Sequence, residues 1–338
     1  MRMAIENFNY GSDDSGLVWG YLMAPAAPAV PIGTVEAMEW LARRPPSQFI
    51  WMHFNLSNSA SERWLRTQAG LPEEFFAALH QGSRSTRIEA ADDALIAVVN
   101  DVLHNFTLDD ADISTLWVHV TPYGVFSARR KPLESIERLR QALRQGETLD
   151  SPIQLLVHLL RDQAEVLVNI VREAVARADV IEDQLLSGRP TRKREDLGAL
   201  RRVLVRLRRL LAPEPAAVFR LLQRPPLWIT AHDLQDLRQA TEEFDVVLSD
   251  MSALQERIKL LQEEIAAGVN EDNNRSLFLL TIVTVMALPI NIVAGLMGMN
   301  VGGVPLAEHP HGFLIVLGLI GGFSALVAWV LLRLQRQR

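Results

Sequence analysis

The chain has 338 residues, a formal net charge of −6, 49% apolar residues and no cysteine. That length holds one large soluble domain or two small ones with segments to spare. The acidic balance excludes a general nucleic-acid binder, and the missing thiols exclude disulfides and Cys-x-x-Cys metal sites.

Met1 to Tyr10 shows no apolar run behind a basic start, so no cleavable signal peptide is expected. Residues 1–150 read as an α/β domain. Gly16 to Met23 and Phe49 to Leu56 are strand-like, with Pro45-Pro46 turning the chain before the second. Ser61 to Gln68 and Pro72 to Gln81 read as helices with carboxylates in the first turn. Ile88 to Val102 is expected to be one strand, followed by a strand pair, Leu116 to Val120 and Gly124 to Ala128, around Pro122. Leu133 to Gln145 closes the domain as a helix. Gly-rich phosphate loops, nucleophile elbows and His-Glu-x-x-His pairs are absent, so no enzyme is expected. His53, His80, His104 and His119 are scattered and read as packed or surface residues.

Residues 151–230 switch to helical periodicity. Leu155, Leu156, Leu159, Leu160, Val166, Leu167, Ile170 and Val171 recur at three and four residues until Gly188-Arg189-Pro190. Glu195 to Gln223 reads as a second helix, crowded with Arg201, Arg202, Arg206, Arg208 and Arg209; ion pairs on a solvated face are the expected role. Residues 231–276 form a stalk. Leu237, Phe244, Met251, Ile258 and Ile265 repeat by sevens, with Ala240, Val247, Leu254, Leu261 and Gly268 three residues later. This pattern predicts packing against other helices, sister subunits included. No proline interrupts Ala231 to Leu288, so the helix can run on to Met297, roughly 100 Å at 1.5 Å per residue.

Residues 277–297 carry no charged side chain and would span roughly 31 Å as a helix, the thickness of a hydrocarbon core. Residues 312–332 form a second uncharged run, with residues 298–311 as an external loop and 333–338 as a basic tail. The loop lacks Lys and Arg, whereas Arg275 precedes the first run and Arg333, Arg336 and Arg338 follow the second. The positive-inside rule therefore places both termini in the cytoplasm.

Within the first run the polar residues share one side. Asn274, Thr281, Thr284 and Asn291 are spaced 7, 3 and 7, and Leu277, Leu288 and Gly295 fill the intervening steps of the stripe. Polar groups in hydrocarbon face water or a bundle interior. Two helices cannot enclose a pore, so several copies around an axis are required, with the first span inside and the second outside. Neutral amides and hydroxyls can accept hydrogen bonds from a hydrated divalent cation without stripping its waters, and rings of Leu277 and Leu288 suit gating by dewetting.

Gly298-Met299-Asn300, at the outer end of the first run, resembles the signature of the CorA family of divalent-metal transporters. Its extension through Val301-Gly302-Gly303-Val304-Pro305 is similar to the ZntB zinc-transporter branch. The resemblance implies an α+β cytoplasmic domain, a long stalk helix and two C-terminal transmembrane helices in a homopentameric funnel of the bacterial inner membrane. It implies that Gly298, Met299 and Asn300 form an outer selectivity ring. Glu308 would make a negative mouth in five copies, and His309 and His311 are candidate transient zinc ligands. Acidic regulatory residues of the family have no residue-by-residue match; Asp92, Asp93, Asp245 and Asp250 are candidates by type. Zinc passage with no resident cofactor, with or without proton coupling, is the leading expectation. Magnesium, cobalt or nickel passage is the alternative on the same fold, and a membrane-anchored sensor or scaffold the alternative of another class.

Overall fold

The computed structural model describes residues 11–81, 86–91, 93–108, 112–186, 193–299, 303, 305 and 309–335. In chain order it runs β1 (Leu17–Met23), β2 (Val30–Pro31), α1 (Thr34–Arg43), β3 (Phe49–Asn55), α2 (Ser59–Thr67) and α3 (Glu73–Gln81). Then come β4 (Arg87–Ala91), β5 (Ala94–Val102), β6 (Ile113–Thr121), β7 (Gly124–Arg129) and α4 (Glu134–Arg144). The helices α5 (Pro152–Leu186), α6 (Lys193–Leu211), α7 (Pro213–Gln223), α8 (Ala231–Met297) and α9 (Gly312–Gln335) complete it. Contacts divide the chain into two compact units, Met1–Gln262 and Glu263–Arg338.

The first unit is built on a seven-stranded sheet in the order β2-β1-β3-β7-β6-β5-β4. Only the central β3–β7 pair is parallel; every other pairing is antiparallel. A central strand covered on both faces needs no polar side, and Phe-Ile-Trp-Met-His-Phe-Asn of β3 is buried at all seven positions. One face packs Ile50, Met52 and Phe54 against Trp40, Trp64, Phe75 and Phe76 of α1 to α3. The other packs Trp51, Val99 and Val118 against Ile136, Leu156, Val218 and Leu237 from α4, α5, α7 and α8. Each large side chain so buried contributes about 1.5–3 kcal/mol. Gly16 fixes the entry to β1: its φ is +84°, and an added Cβ would sit 1.8 Å from Ser61 Oγ.

Several sequence expectations change. The run Ile88 to Val102 is a hairpin, not one strand, with Ala91 paired to Ala94. The missed signal is Asp92-Asp93, whose polar side chains favour a turn. Glu195 to Gln223 is two helices, because Pro213 lacks the N–H that would continue α6 and instead starts α7. The short β2 and α1 were not foreseen. The stop at Gly188-Arg189-Pro190 lies outside the described residues, and α5 ends at Leu186. Every heptad position of α8 except Gly268 is buried inside this one chain. The seam is occupied from within: Arg257 pairs with Asp179 of α5 at 2.7 Å, and Arg201 of α6 donates to Gln262 at 3.3 Å. Packing against helices of the same chain therefore accounts for the buried heptad positions.

The basic α6 has the expected solvated face. Arg202, Arg206, Arg208 and Arg209 are exposed, and Arg206 lies 3.8 Å from Asp112. His53 and His119 are core residues, while His80 and His104 lie at the surface.

Candidate functional site

Within Glu263–Arg338, α8 and α9 expose what a soluble core would hide. Leu277, Leu280, Val283, Leu288, Phe313, Leu319 and Trp329 are all exposed. Among the described residues α8 is the one helix long and apolar enough to cross a membrane, and none of its apolar window is buried.

The face of α8 turned to α9 is apolar. Pro289, Ile290, Val293 and Met297 line a groove of about 390 Å³ with Val316, Leu319, Ile320 and Phe323 of α9. Ile282 and Met286 extend this partly buried face toward the N-terminus. At 3.6 residues per turn, these positions lie roughly opposite the stripe Asn274, Thr281, Thr284 and Asn291. All four stripe residues are exposed, as are Leu277, Leu288 and Gly295. The structure thus brings the seven predicted stripe residues onto one side and places α9 on the other.

The two threonines are oriented by their own helix. Thr281 Oγ1 donates to the Leu277 carbonyl at 2.8 Å, and Thr284 Oγ1 donates to the Leu280 carbonyl at 2.8 Å. A hydroxyl has one hydrogen and two lone pairs. With the hydrogen engaged, the oxygen lone pairs remain for a cation or its waters.

At the end of α8, Gly298 N–H closes the helix on the Ala294 carbonyl at 3.0 Å. A Cβ on Gly298 would sit 3.2 Å from that carbonyl, so the close turn favours glycine. Met299 is exposed. Asn300 and Glu308 lie outside the described residues. His309 and His311 are exposed with ring centroids 6.2 Å apart, and His309 Nδ1 accepts the His311 N–H at 3.2 Å. That leaves one nitrogen of His309 facing outward. No group of three or more metal-ligating side chains occurs among the described residues. Asp245 and Asp250 are exposed on α8, Asp93 is exposed in the β4–β5 turn, and Asp92 lies outside the described residues.

Sequence reasoning missed the polar groups buried in the first unit. Trp51 Nε1 donates to Ser127 Oγ at 2.8 Å, and Ser127 Oγ lies 2.7 Å from His53 Nδ1. The indole can only donate, so Ser127 Oγ accepts from Trp51 and links it to the His53 ring. Burial, then the charges of Arg129 and Arg140, hold His53 well below the ordinary range. His158 is the opposite case. Burial pushes it down, but Asp162 at 2.9 Å and Glu147 at 3.1 Å overcome this and raise it to about 9. The i to i+4 spacing of His158 and Asp162 was a readable signal.

A family model described as CorA-like Mg2+ transporter protein matches residues 46–333. The divalent cation transporter CmaX of Pseudomonas aeruginosa is 29% identical over 96% of this chain and 97% of its own. The zinc transport protein ZntB of Photorhabdus laumondii is 25% identical over 84% of this chain and 86% of its own. The structure of full-length CmaX superposes with a TM-score of 0.80 at 27% identity, covering 96% of this chain and 99% of that one. The family model runs from β3 into α9 and includes both apolar segments, and the chain belongs to the CorA family of divalent cation transporters, which are not enzymes.

Proposed function

We propose that the chain is one subunit of a homopentameric pore through the bacterial inner membrane, with α8 lining it and α9 facing lipid. The observation that carries this is the opposition of faces on α8: hydroxyl and amide residues on one side, the apolar groove toward α9 on the other. Burial inside hydrocarbon penalises the polar side, so it turns to a water-filled axis. Both termini are cytoplasmic, and Gly298, Met299 and Asn300 form the outer selectivity ring with Glu308 at the mouth. Thr281, Thr284, Asn291 and Asn274 provide successive polar rings, with Leu277 and Leu288 as dewetting constrictions and Gly295 leaving room. His309 and His311 give a transient capture site outside.

Zinc is the cation we assign first. The support is Val301-Gly302-Gly303-Val304-Pro305 together with the ZntB relatives. The competing reading, magnesium with cobalt or nickel, is favoured by the description of the family model. The span holds no carboxylate or histidine to relay protons, so flux driven by the membrane potential is the simpler mechanism. An inward-negative potential favours a divalent cation by about 4.6 kcal/mol per 100 mV.

Proteoliposomes carrying the purified protein test this with zinc and magnesium in parallel, under an imposed pH gradient, an imposed potential or neither. Zinc flux that follows the potential supports the proposal. Zinc flux equal to that of empty vesicles, with magnesium passing, reassigns the ion. No flux of either cation removes the pore.

A further inference from the structure

Glu214 lies in the first turn of α7 between Pro213 and Pro215, and it is fully buried. Neither carboxyl oxygen has a hydrogen-bond partner among the described residues. A helix N-terminus ordinarily stabilises a carboxylate by about 0.3–1 kcal/mol. Here burial dominates and the nearby Asp101 charge adds to it, so the carboxyl is held well above its ordinary range and keeps its proton.

The charge nearest in effect is Asp101, and the polar contacts of Asp101 and Asn100 join β5 to α4, α5 and α6. Asp101, at the end of β5, accepts from the Ser135 backbone of α4 at 3.1 Å and from the Ser135 hydroxyl. Burial raises Asp101 to about 6 against those bonds. Its neighbour Asn100 donates to the Leu210 carbonyl of α6 at 3.4 Å and accepts from Gln163 of α5 at 3.0 Å. Gln163 Oε1 is itself buried without a hydrogen-bond partner among the described residues. The charged groups on the surrounding elements are engaged elsewhere. Arg87 of β4 donates to Gln81, Glu89 is exposed, and Arg208 and Arg209 of α6 are exposed. Asp162 of α5 holds His158, and Glu134 of α4 holds Arg138 and His104. Asp233 of α8 is held by Ser151 and Thr230, so among the described residues the charge acting on an ionised Glu214 is a second carboxylate, Asp101.

We propose that Glu214 and Asp101 form a proton-binding pair that makes the α6–α7 elbow responsive to pH, seated while Glu214 is protonated and loosened when it ionises. The direction follows from linkage. A glutamate in the unfolded chain loses its proton near about 4.3, whereas the folded chain holds this one to higher pH. The folded state then binds the extra proton, and stability falls as pH rises above the unfolded value. Each pH unit increases the opening constant about tenfold until Glu214 ionises in place. Above about 6, where Asp101 has titrated, the remaining slope at this site belongs to Glu214. Ala217, Val218 and Leu221 of α7 share a core with Leu237 and Ala240, so loosening the elbow reaches the first turns of α8.

Hydrogen–deuterium exchange on the full-length protein between pH 6.5 and 9, corrected for the intrinsic rate, tests this on residues 213–223. The wild type should open more as pH rises, by up to about tenfold per pH unit, and Glu214→Gln should be flat and better protected at pH 8. A flat wild type, or an unchanged slope in Glu214→Gln, overturns the proposal. If Glu214→Gln does not fold, Asp101→Asn decides: its slope must level off at lower pH, and an unmoved curve overturns the proposal equally.

Discussion

In Met1–Gln262 the largest apolar side chains point inward; Trp51, Phe54, Phe75 and Phe244 are fully buried. In Glu263–Arg338 the same residue types point outward; Leu277, Phe278, Leu288, Phe313 and Leu319 are exposed. Both arrangements occur on one helix. The heptads of α8 are buried from Leu237 to Ile265, and its apolar run from Leu277 onward is not. Composition alone does not separate the two. What separates them is where the polar residues sit, because a helix in water covers itself with charge and this run has none.

The contrast can be broken from either side. Phe244→Ala removes a fully buried ring from the first unit and should cost about 3–5 kcal/mol of stability, read by denaturant unfolding. Leu288→Ala, on the exposed side of the second unit, should leave that unfolding curve within about 0.5 kcal/mol while altering flux. Equal destabilisation by both would mean that Leu288 is packed like Phe244.

The next largest effect is expected at the proposed selectivity ring. Asn300→Ala removes an acceptor for a hydrated cation, worth about 1.5–3 kcal/mol for a hydrogen bond to a charged group, so flux should fall roughly 10- to 100-fold. A sensor or scaffold would instead keep its function.

Smaller is the pH response of the His158 clasp. Its folded value, about 9, is raised above the ordinary 6.5, so its stabilisation is complete below 6.5 and lost as pH rises through about 9. Glu147 is half exposed, so screening reduces the effect to about 1–2 kcal/mol. Comparing unfolding of the wild type and His158→Gln at pH 6 and pH 9.5 reads it directly; the two curves should converge at the higher pH. The smallest effect belongs to Thr284→Val, which keeps the shape and removes one neutral acceptor. Flux should drop several-fold at about 0.5–1.5 kcal/mol, with the unfolding curve unmoved.

The strands were readable as apolar and aromatic runs between turns, and the long helices and the polar stripe because each rests on a period. Helices repeat at 3.6 residues, and Asn274 to Asn291 keeps one side. The hairpin that pairs Ala91 with Ala94 and the break at Pro213 carried local signals that a longer apolar pattern masked. Glu214 gave no signal, because a glutamate between two prolines reads as a solvated linker until the tertiary structure buries it. Cation identity is not periodic either. It depends on the width and hydration of a ring, which a single chain does not encode as a repeat.

The threonine hydrogen bonds have a consequence for discrimination between ions. Thr281 and Thr284 each direct their only hydrogen back to a carbonyl one turn earlier. An anion approaching those levels meets oxygen and no donor from either hydroxyl. In the proposed pore these levels would disfavour the wrong sign of charge without a charged side chain there. A charged ring would grip a divalent cation and slow its departure; a ring of pre-oriented dipoles would distinguish signs and still let go.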